Sequence, residues 1–577
     1  FTLNDEETQK KWKKEYGIDE DATAEEVFNI FKKKYNIKED DVKKARKIMT
    51  VRYEISRNGY SNIKPATISK NISYLSANQI KEQSAIFPGA SVVTTPIVKY
   101  PYGNLASHIL GYVGSISSEE YNANKDKYDI NDIIGKTGIQ YTLEEYLKGV
   151  DGVRQVDMSV DGTITGEYIA EEAEAGHTVV LTIDSNLQKV TEQALEKNIK
   201  KIANGDYGKK YNAKAGAAIV MNVKTGDILA LTSYPDYEPE LFITGISQKK
   251  LEEYNKGNNY YNRAISGIYA PGSVFKMVVA TAALENNTIT TSTTINDTGI
   301  YPRGHNPACW IYTSRHYGHG YLNVTDAIKK SCNYFFYELG YRMGIDPVIQ
   351  YAKAYGLGIK TGIELSGESS GIVDLKKQCE ESTGVQWQFG DTLSAVIGQS
   401  YNSYTPIQIA RYTCMLANGG KSVDVSLIKS ILDSDGNKVS KEEYEKKVNE
   451  KLGISNIPEV EDLNIKKENL DAILKGMKGV TSENGGTAYY VFSDLDIYIA
   501  GKTGSAETGI NDQVNGWFAG FAPYDDPEIA VVVLIENAGS GGNVGDTAKS
   551  IIKEYFGMNA KNVNEDLTAI PSTQVNN

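Results

Sequence analysis

Ser273 and Lys276 stand one helical turn apart in Ala-Pro-Gly-Ser-Val-Phe-Lys-Met-Val-Val-Ala, at the start of an apolar run that reads as a buried helix of about three turns. A serine hydroxyl is a poor nucleophile until a neighbour removes its proton, and a lysine on the same helix face is placed to do that. Lysine can act as the base only if burial and nearby cations bring its pKa from about 10.4 to roughly 7–8, a shift of about 4 kcal/mol. The helix start also puts Ser273 near the positive end of the helix dipole. Alone, Ser-x-x-Lys is weak evidence, because a capped helix with a solvated lysine has the same letters. A second group of residues has the chemistry of a metal site. Three of the five histidines lie in Gly-His305-Asn-Pro-Ala-Cys309-Trp-Ile-Tyr-Thr-Ser-Arg-His316-Tyr-Gly-His319. Cys309, His316 and His319, with Asp297 upstream and His305 as an alternative, are ligands of the types that hold zinc tetrahedrally. The spacing is not a zinc-finger pattern, and a buried small Cys309 with histidines capping a loop accounts for the same residues. The expectation is a structural zinc on Asp297, Cys309, His316 and His319 that pins the loop leading towards Ser331.

Two further motifs change the weight of the first. Ser331-Cys332-Asn333 opens the apolar stretch Tyr-Phe-Phe-Tyr-Glu-Leu-Gly, and Lys502-Thr503-Gly504-Ser505 closes the run Leu-Asp-Ile-Tyr-Ile-Ala-Gly. In this order, Ser-x-x-Lys, Ser-x-Asn and Lys-Thr-Gly resemble the signature of serine β-lactamases and penicillin-binding proteins. Lys-Thr-Gly also occurs at Lys136 and at Lys360, where the surroundings read as turns. Only the Lys502 copy precedes Gly516-Trp-Phe-Ala-Gly-Phe-Ala-Pro and Ile-Ala-Val-Val-Val-Leu-Ile, a pattern for a central antiparallel sheet whose first strand carries the motif. Gly398-Gln399-Ser400-Tyr-Asn-Ser-Tyr-Thr405-Pro406-Ile-Gln408-Ile-Ala410 is similar to a segment of class B penicillin-binding proteins. The runs at Pro101–Gly114 and Gly135–Gly152 resemble the non-catalytic pedestal of that class. The resemblance covers about Val51 to Gly557 and is nearest to the elongation type; no glycosyltransferase pattern of the bifunctional class A proteins is apparent.

The resemblance implies an α+β chain: a penicillin-binding/serine β-lactamase-like transpeptidase domain, with an antiparallel sheet sandwiched by helices, and an N-terminal mixed α/β pedestal carrying a helical head insertion. It implies a peptidoglycan D,D-transpeptidase in which Lys276 deprotonates Ser273 for attack on the penultimate D-alanine of a stem peptide. Ser331 would pass a proton to the leaving amine, Asn333 would hold the substrate amide, and Lys502 would lend a positive field that disfavours a charged Lys276. Thr503, Gly504 and Ser505 would line the substrate, the two hydroxyls facing its carboxylate, and the backbone N–H groups of Ser273 and Ser505 would hold the oxyanion. Implied partners are stem peptides, β-lactam antibiotics, a membrane glycan polymerase and elongation-complex proteins. A D,D-carboxypeptidase, a β-lactamase-like hydrolase and a non-enzymatic β-lactam sensor or scaffold are the competing readings. A lone hydrolase has no need of a pedestal, and a scaffold would lack one of the three motifs.

Composition sets the frame. The 577 residues suffice for two or more domains with substantial cores, and a net charge of −13 spread along the chain argues against a nucleic-acid partner. The four cysteines show no paired spacing, so no disulfide framework is expected. No apolar run of about 20 residues is present, and by resemblance the chain is expected to be an extracytoplasmic ectodomain whose single N-terminal membrane anchor lies outside this sequence. The expected layout is a pedestal over 1–178 with a charged helical head near 1–50, a transpeptidase domain over 179–557 and a polar, disordered tail over 558–577. The head's Lys/Glu alternation fits a solvated face as well as a partner surface.

Overall fold

The computed structural model describes residues 6–57, 66–69, 72–83, 86–87, 89–93, 97–129, 132–159, 164–372, 374–454, 457–510 and 513–558. The expected tail falls outside them, apart from Met558. The chain forms two compact units, one of residues 1–97 with 152–172 and the other of 98–151 with 173–577.

In the smaller unit, helices Glu6–Glu15, Ala24–Lys34 and Val42–Arg57 close on Val27, Phe31, Ala45 and Met49, with the rings of Trp12, Tyr16 and Tyr53 against Phe31. The second helix starts where a capping box predicts it. The Thr23 hydroxyl accepts the Glu26 N–H while the Glu26 carboxylate accepts the Thr23 N–H. An antiparallel hairpin, Val153–Met158 with Ile164–Glu171, belongs to the same unit.

The larger unit is built on a five-stranded antiparallel sheet. Its spatial order is Ala500–Glu507, Val514–Ala522, Ile529–Ile535, Gly216–Asn222, Ile228–Tyr234. Side chains alternate across it with the period of a strand. Ala217, Ile219, Met221, Ala530, Val532 and Leu534 enter one core, while Ala218, Val220, Ile529, Val531, Val533 and Ile535 enter the other. Helices Ser185–Asn204 and Gly545–Tyr555 cover the second face, tied to each other by Asn198 donating to Thr547 Oγ1 (3.0 Å) and Lys201 pairing with Asp546 (2.9 Å). Helix Pro406–Ala417 covers the first, and helix Lys276–Glu285 lies in the same core. With both faces dry, the strands Gly216–Asn222 and Ile529–Ile535 read as nearly unbroken apolar runs.

Residues 98–151 pack on the larger unit, where they bury Ala106, Ile109, Ile139, Leu143 and Tyr146 in its main core. Polar contacts reinforce that attachment: Asn104 donates to Asp236 (2.7 Å), the Ala106 N–H to Glu192 (2.9 Å) and the Tyr237 hydroxyl to the Ser107 carbonyl (2.9 Å). The strand Thr178–Leu181, which precedes helix Ser185–Asn204, pairs with Ile428–Leu432 outside the five-stranded sheet. Pattern shows that a run is extended; it does not show which partner it finds.

Candidate active site

Ser273 sits in a 3-10 turn, Gly272–Phe275, that runs directly into the helix Lys276–Glu285, one step earlier than the first α-turn expected from sequence. That helix is buried all round from Lys276 to Leu284, so its lysine has no route to solvent. The turn is fixed from several sides. Tyr269 and Tyr404 exchange backbone hydrogen bonds of 3.0 Å, Trp517 Nε1 donates to the Ala270 carbonyl (3.0 Å), and the Tyr412 hydroxyl donates to the Val274 carbonyl (3.2 Å). Gly272, at φ +55°, lies where a Cβ would be 2.8 Å from the Ser505 carbonyl oxygen. Its N–H donates to the Gly398 carbonyl (2.9 Å), and a Cβ on Gly398, at φ +77°, would fall 2.1 Å from the Gly272 oxygen. Three distant backbones therefore meet beside the serine. Gly398→Ala is expected to cost about 2–4 kcal/mol of stability and to slow any acylation of Ser273, since both φ and space exclude a methyl group. An unchanged denaturant midpoint would show that the seam yields.

Ser331 is held in an unusual way. Helix Val324–Lys329 ends in a Schellman pattern: the Ser331 N–H donates to Ile328 O (3.1 Å) and the Cys332 N–H to Ala327 O (2.9 Å). Glycine normally fills that left-handed position, whereas here Ser331 does so at φ +52°, a strain of about 1–3 kcal/mol. Cys332 then caps the next helix, Asn333–Met343, accepting the Phe335 N–H on its sulfur (3.4 Å).

The motifs converge on the Ser331 hydroxyl. Lys276 Nζ donates to Ser331 Oγ (3.2 Å), to the Ser331 carbonyl (2.9 Å) and to Asn333 Oδ1 (2.6 Å), and Lys502 Nζ donates to Ser331 Oγ (2.8 Å) and to the Thr503 carbonyl (2.8 Å). With both lone pairs of Ser331 Oγ taken by lysines, its own proton is free to be given elsewhere. None of the hydrogen bonds of Lys276 reaches Ser273 Oγ; such contacts often tighten only when substrate is bound. Both lysines are fully buried, with no carboxylate partner among the described residues. Burial pushes Lys276 down to about 8, against a partial pull back up from the sulfurs of Cys309 and Cys332. It pushes Lys502 further down, and the Lys276 charge adds to that push. The charge repulsion between the two lysines therefore falls on Lys502, the reverse of the direction expected, while Lys276 is lowered by burial.

Thr503 and Ser505 lie on the edge strand of the sheet, Thr503 nearly buried and Ser505 exposed. Ser505 Oγ accepts the Gly541 N–H (3.0 Å), its carbonyl accepts a long bond from Gln399 Nε2 (3.4 Å), and Gly504 lies against the Pro271 carbonyl. The other Lys-Thr-Gly copies are elsewhere. Lys136 pairs with Glu120 next to a short helix start, and Thr361 and Gly362 bind the buried Glu368 carboxylate.

The metal-type residues gather in a different set from the one expected. Asp297, Cys309, His319 and Cys332 bring one ligand atom each to within 4.8 Å of one another. Asp297 Oδ2 accepts from His319 Nδ1 (2.7 Å) and from Cys332 Sγ (3.3 Å), and Cys309 Sγ lies 3.6 Å from His319 Nδ1 and 4.0 Å from Cys332 Sγ. His316 is outside: it ends helix Trp310–Arg315 at φ +60°, exposed, with its ring against Tyr312. His305 is exposed too. Cys332 takes the fourth place because the strained turn at Ser331 directs the motif's middle residue inward. Sequence reasoning counted it only as the x of Ser-x-Asn, although a scarce ligand type beside such a cluster was a usable signal. Burial would raise the Asp297 carboxyl, but hydrogen bonds from His319, Gly299 and Cys332 outweigh it and hold the group well below the usual carboxylate range. Hydrogen bonding with Cys332 and His319 lowers the Cys309 thiol against its burial, while burial pushes Cys332 up. One carboxylate, one imidazole and two cysteine sulfurs converging within 4.8 Å are a donor set that fits zinc.

The sequence model described as the penicillin binding protein transpeptidase domain matches residues 216–556, and that of the penicillin-binding protein dimerisation domain matches 3–181. The chain belongs to the penicillin-binding protein transpeptidase family. Among its relatives is the peptidoglycan D,D-transpeptidase MrdA of Acinetobacter baumannii, 30% identical over 515 residues, which span 86% of this chain and 71% of the relative. The solved complex of penicillin-binding protein PBP2 with MreC from Helicobacter pylori shares the fold at TM-score 0.70 and 26% identity, over 93% of this chain and 92% of that one. A structure of a peptidoglycan synthase complex that coordinates polymerization and crosslinking matches at TM-score 0.69 and 27% identity, over 90% of this chain and 86% of that one. No helix among the described residues of this family member is long and apolar enough to cross a membrane.

Proposed function

We propose that the protein is a peptidoglycan D,D-transpeptidase working through a Ser273 acyl-enzyme. The observation that carries this is the meeting of Lys276 and Lys502 on the one hydroxyl of Ser331, beside the turn that holds Ser273. In the proposed reaction Lys276, neutral, takes the Ser273 proton, and Oγ bonds to the carbonyl carbon of the penultimate D-alanine. The oxyanion is held by the N–H groups of Ser273 and Ser505, worth about 3–4 kcal/mol per donor. The C–N bond breaks as Ser331 passes its proton to the departing D-alanine and regains one from the lysine pair. Asn333 holds the substrate amide, while Thr503 and Ser505 take the terminal carboxylate. An amine of a neighbouring stem peptide then attacks the ester, giving a new amide and returning Ser273 to its hydroxyl form. A β-lactam enters the same path and stops at the ester.

Incubation with a penicillin tests this: intact mass is expected to rise by one equivalent of drug and to stay there for hours. Release of hydrolysed penicillin within minutes would favour the hydrolase reading instead.

The donor set at Asp297, Cys309, His319 and Cys332 supports a structural zinc site. Bound zinc would supply charge and rigidity and no chemistry to substrate. These residues would hold Cys332, and through it the backbone of Ser331 and Asn333. The likeness to the MreC complex and to the synthase complex supports a place in an elongation assembly, beside a glycan polymerase, with the catalytic unit on the outer side of the membrane and an N-terminal anchor.

A further inference from the structure

Thr487 is a residue that no motif draws attention to. It lies in the loop after helix Lys467–Ser482, and its Oγ1 is 2.7 Å from Thr503 Oγ1, the hydroxyl of the Lys-Thr-Gly motif. The loop is not free to drift. A Cβ on Gly486 would lie 2.3 Å from the Gly479 carbonyl oxygen and 2.4 Å from that of Val480, and the Ala488 N–H donates to Val480 O (3.0 Å). Glu483, at the loop's start, pairs with Lys329 on the helix that leads to Ser331. Thr487 is therefore held against the motif strand by backbone packing on either side of it.

A hydroxyl has one proton to give and two lone pairs. If the Thr503 proton points at Thr487, the cleft sees only lone pairs, which repel a carboxylate. If Thr487 donates to Thr503 Oγ1, the Thr503 proton is turned towards the cleft, and the bond to an anion in front is strengthened by the bond from behind. Thr487 is half-buried while Thr503 is nearly buried, so Thr487 has solvent as another partner and does not need Thr503 to be satisfied. We propose that Thr487 is a positioning residue for the substrate carboxylate, acting through Thr503 by committing that hydroxyl's proton to the cleft. The proposal rests on the reading of Thr503 as a carboxylate ligand.

The test compares second-order acylation rates, read by intact mass, for benzylpenicillin and its methyl ester, which lacks the anionic charge. Thr503→Val is expected to bring the ratio of acid to ester rates close to one. Thr487→Val is expected to slow the acid about fivefold while moving the ester rate less than twofold, and Thr487→Ser to restore the acid rate. Thr487→Val slowing both ligands equally, or neither, while Thr503→Val still collapses the ratio, would overturn the role of Thr487 and leave the carboxylate reading standing. A ratio untouched by Thr503→Val would remove the carboxylate reading, and the role of Thr487 with it. Thr487→Ala, which leaves a smaller side chain, repeats the comparison if the valine variant does not fold.

Discussion

Lys276→Met is expected to slow acylation of Ser273 by a penicillin about 10²–10⁴-fold, the contribution of a positioned general base. Ser273→Ala is expected to abolish the adduct. Methionine fills most of the lysine volume, and replacing a buried charge by an apolar group is often neutral or better for stability. Against that, the Ser331 carbonyl and Asn333 Oδ1 lose a donor, so a melting point within a few degrees of the wild type is expected. The wild type should show the same base in its pH profile. Only neutral Lys276 accepts the Ser273 proton, and the neutral fraction grows as pH rises through about 8. The acylation rate is thus expected to climb about tenfold per pH unit below that value and to level off above it. A solvated lysine would keep the rate climbing to about pH 10. A flat profile from pH 6 to 9, or an undiminished rate in Lys276→Met, would transfer the base to another group.

The purified protein is expected to carry one equivalent of zinc, and the choice of ligands makes the expectation sharp. Cys332→Ser and His319→Ala should each weaken zinc at least about 100-fold, by competition against a chromogenic chelator, whereas His316→Ala should leave affinity unchanged. Chelation should also lower the melting temperature, because a ligand bound only by the folded state stabilises it in proportion to the logarithm of its saturation. Zinc well below one equivalent with melting unaffected by chelator would remove the site. Loss of metal in His316→Ala equal to that in Cys332→Ser would restore the ligand set expected from spacing.

The two ligand sets differ for a reason that applies to the whole chain. Residue types and their order along the sequence identify Ser273, Lys276, Ser331, Asn333 and Lys502, since each motif is local and its chemistry is written in its letters. The sheet was legible too, because Ile529–Ile535 and Val514–Ala522 are extended apolar runs bounded by turns. What the letters do not carry is the direction of side chains at irregular backbone. Ser331 in a glycine-type conformation turns Cys332 inward, and His316, in a left-handed conformation of its own, ends its helix outside the cluster. Thr487 was invisible because its partner is remote and its loop is fixed by carbonyl oxygens, which every residue possesses.

The glycine seam beside the nucleophile has a consequence for drug resistance. Gly272, Gly398 and the backbone of Ser505 touch without intervening side chains. Widening or shifting that wall against a β-lactam would require coordinated change in segments far apart in the gene, each single step of which loses stability. Selection is then confined to side chains at the edge of the seam, such as the half-buried Gln399, whose amide reaches the Ser505 carbonyl and where a substitution does not move the serine.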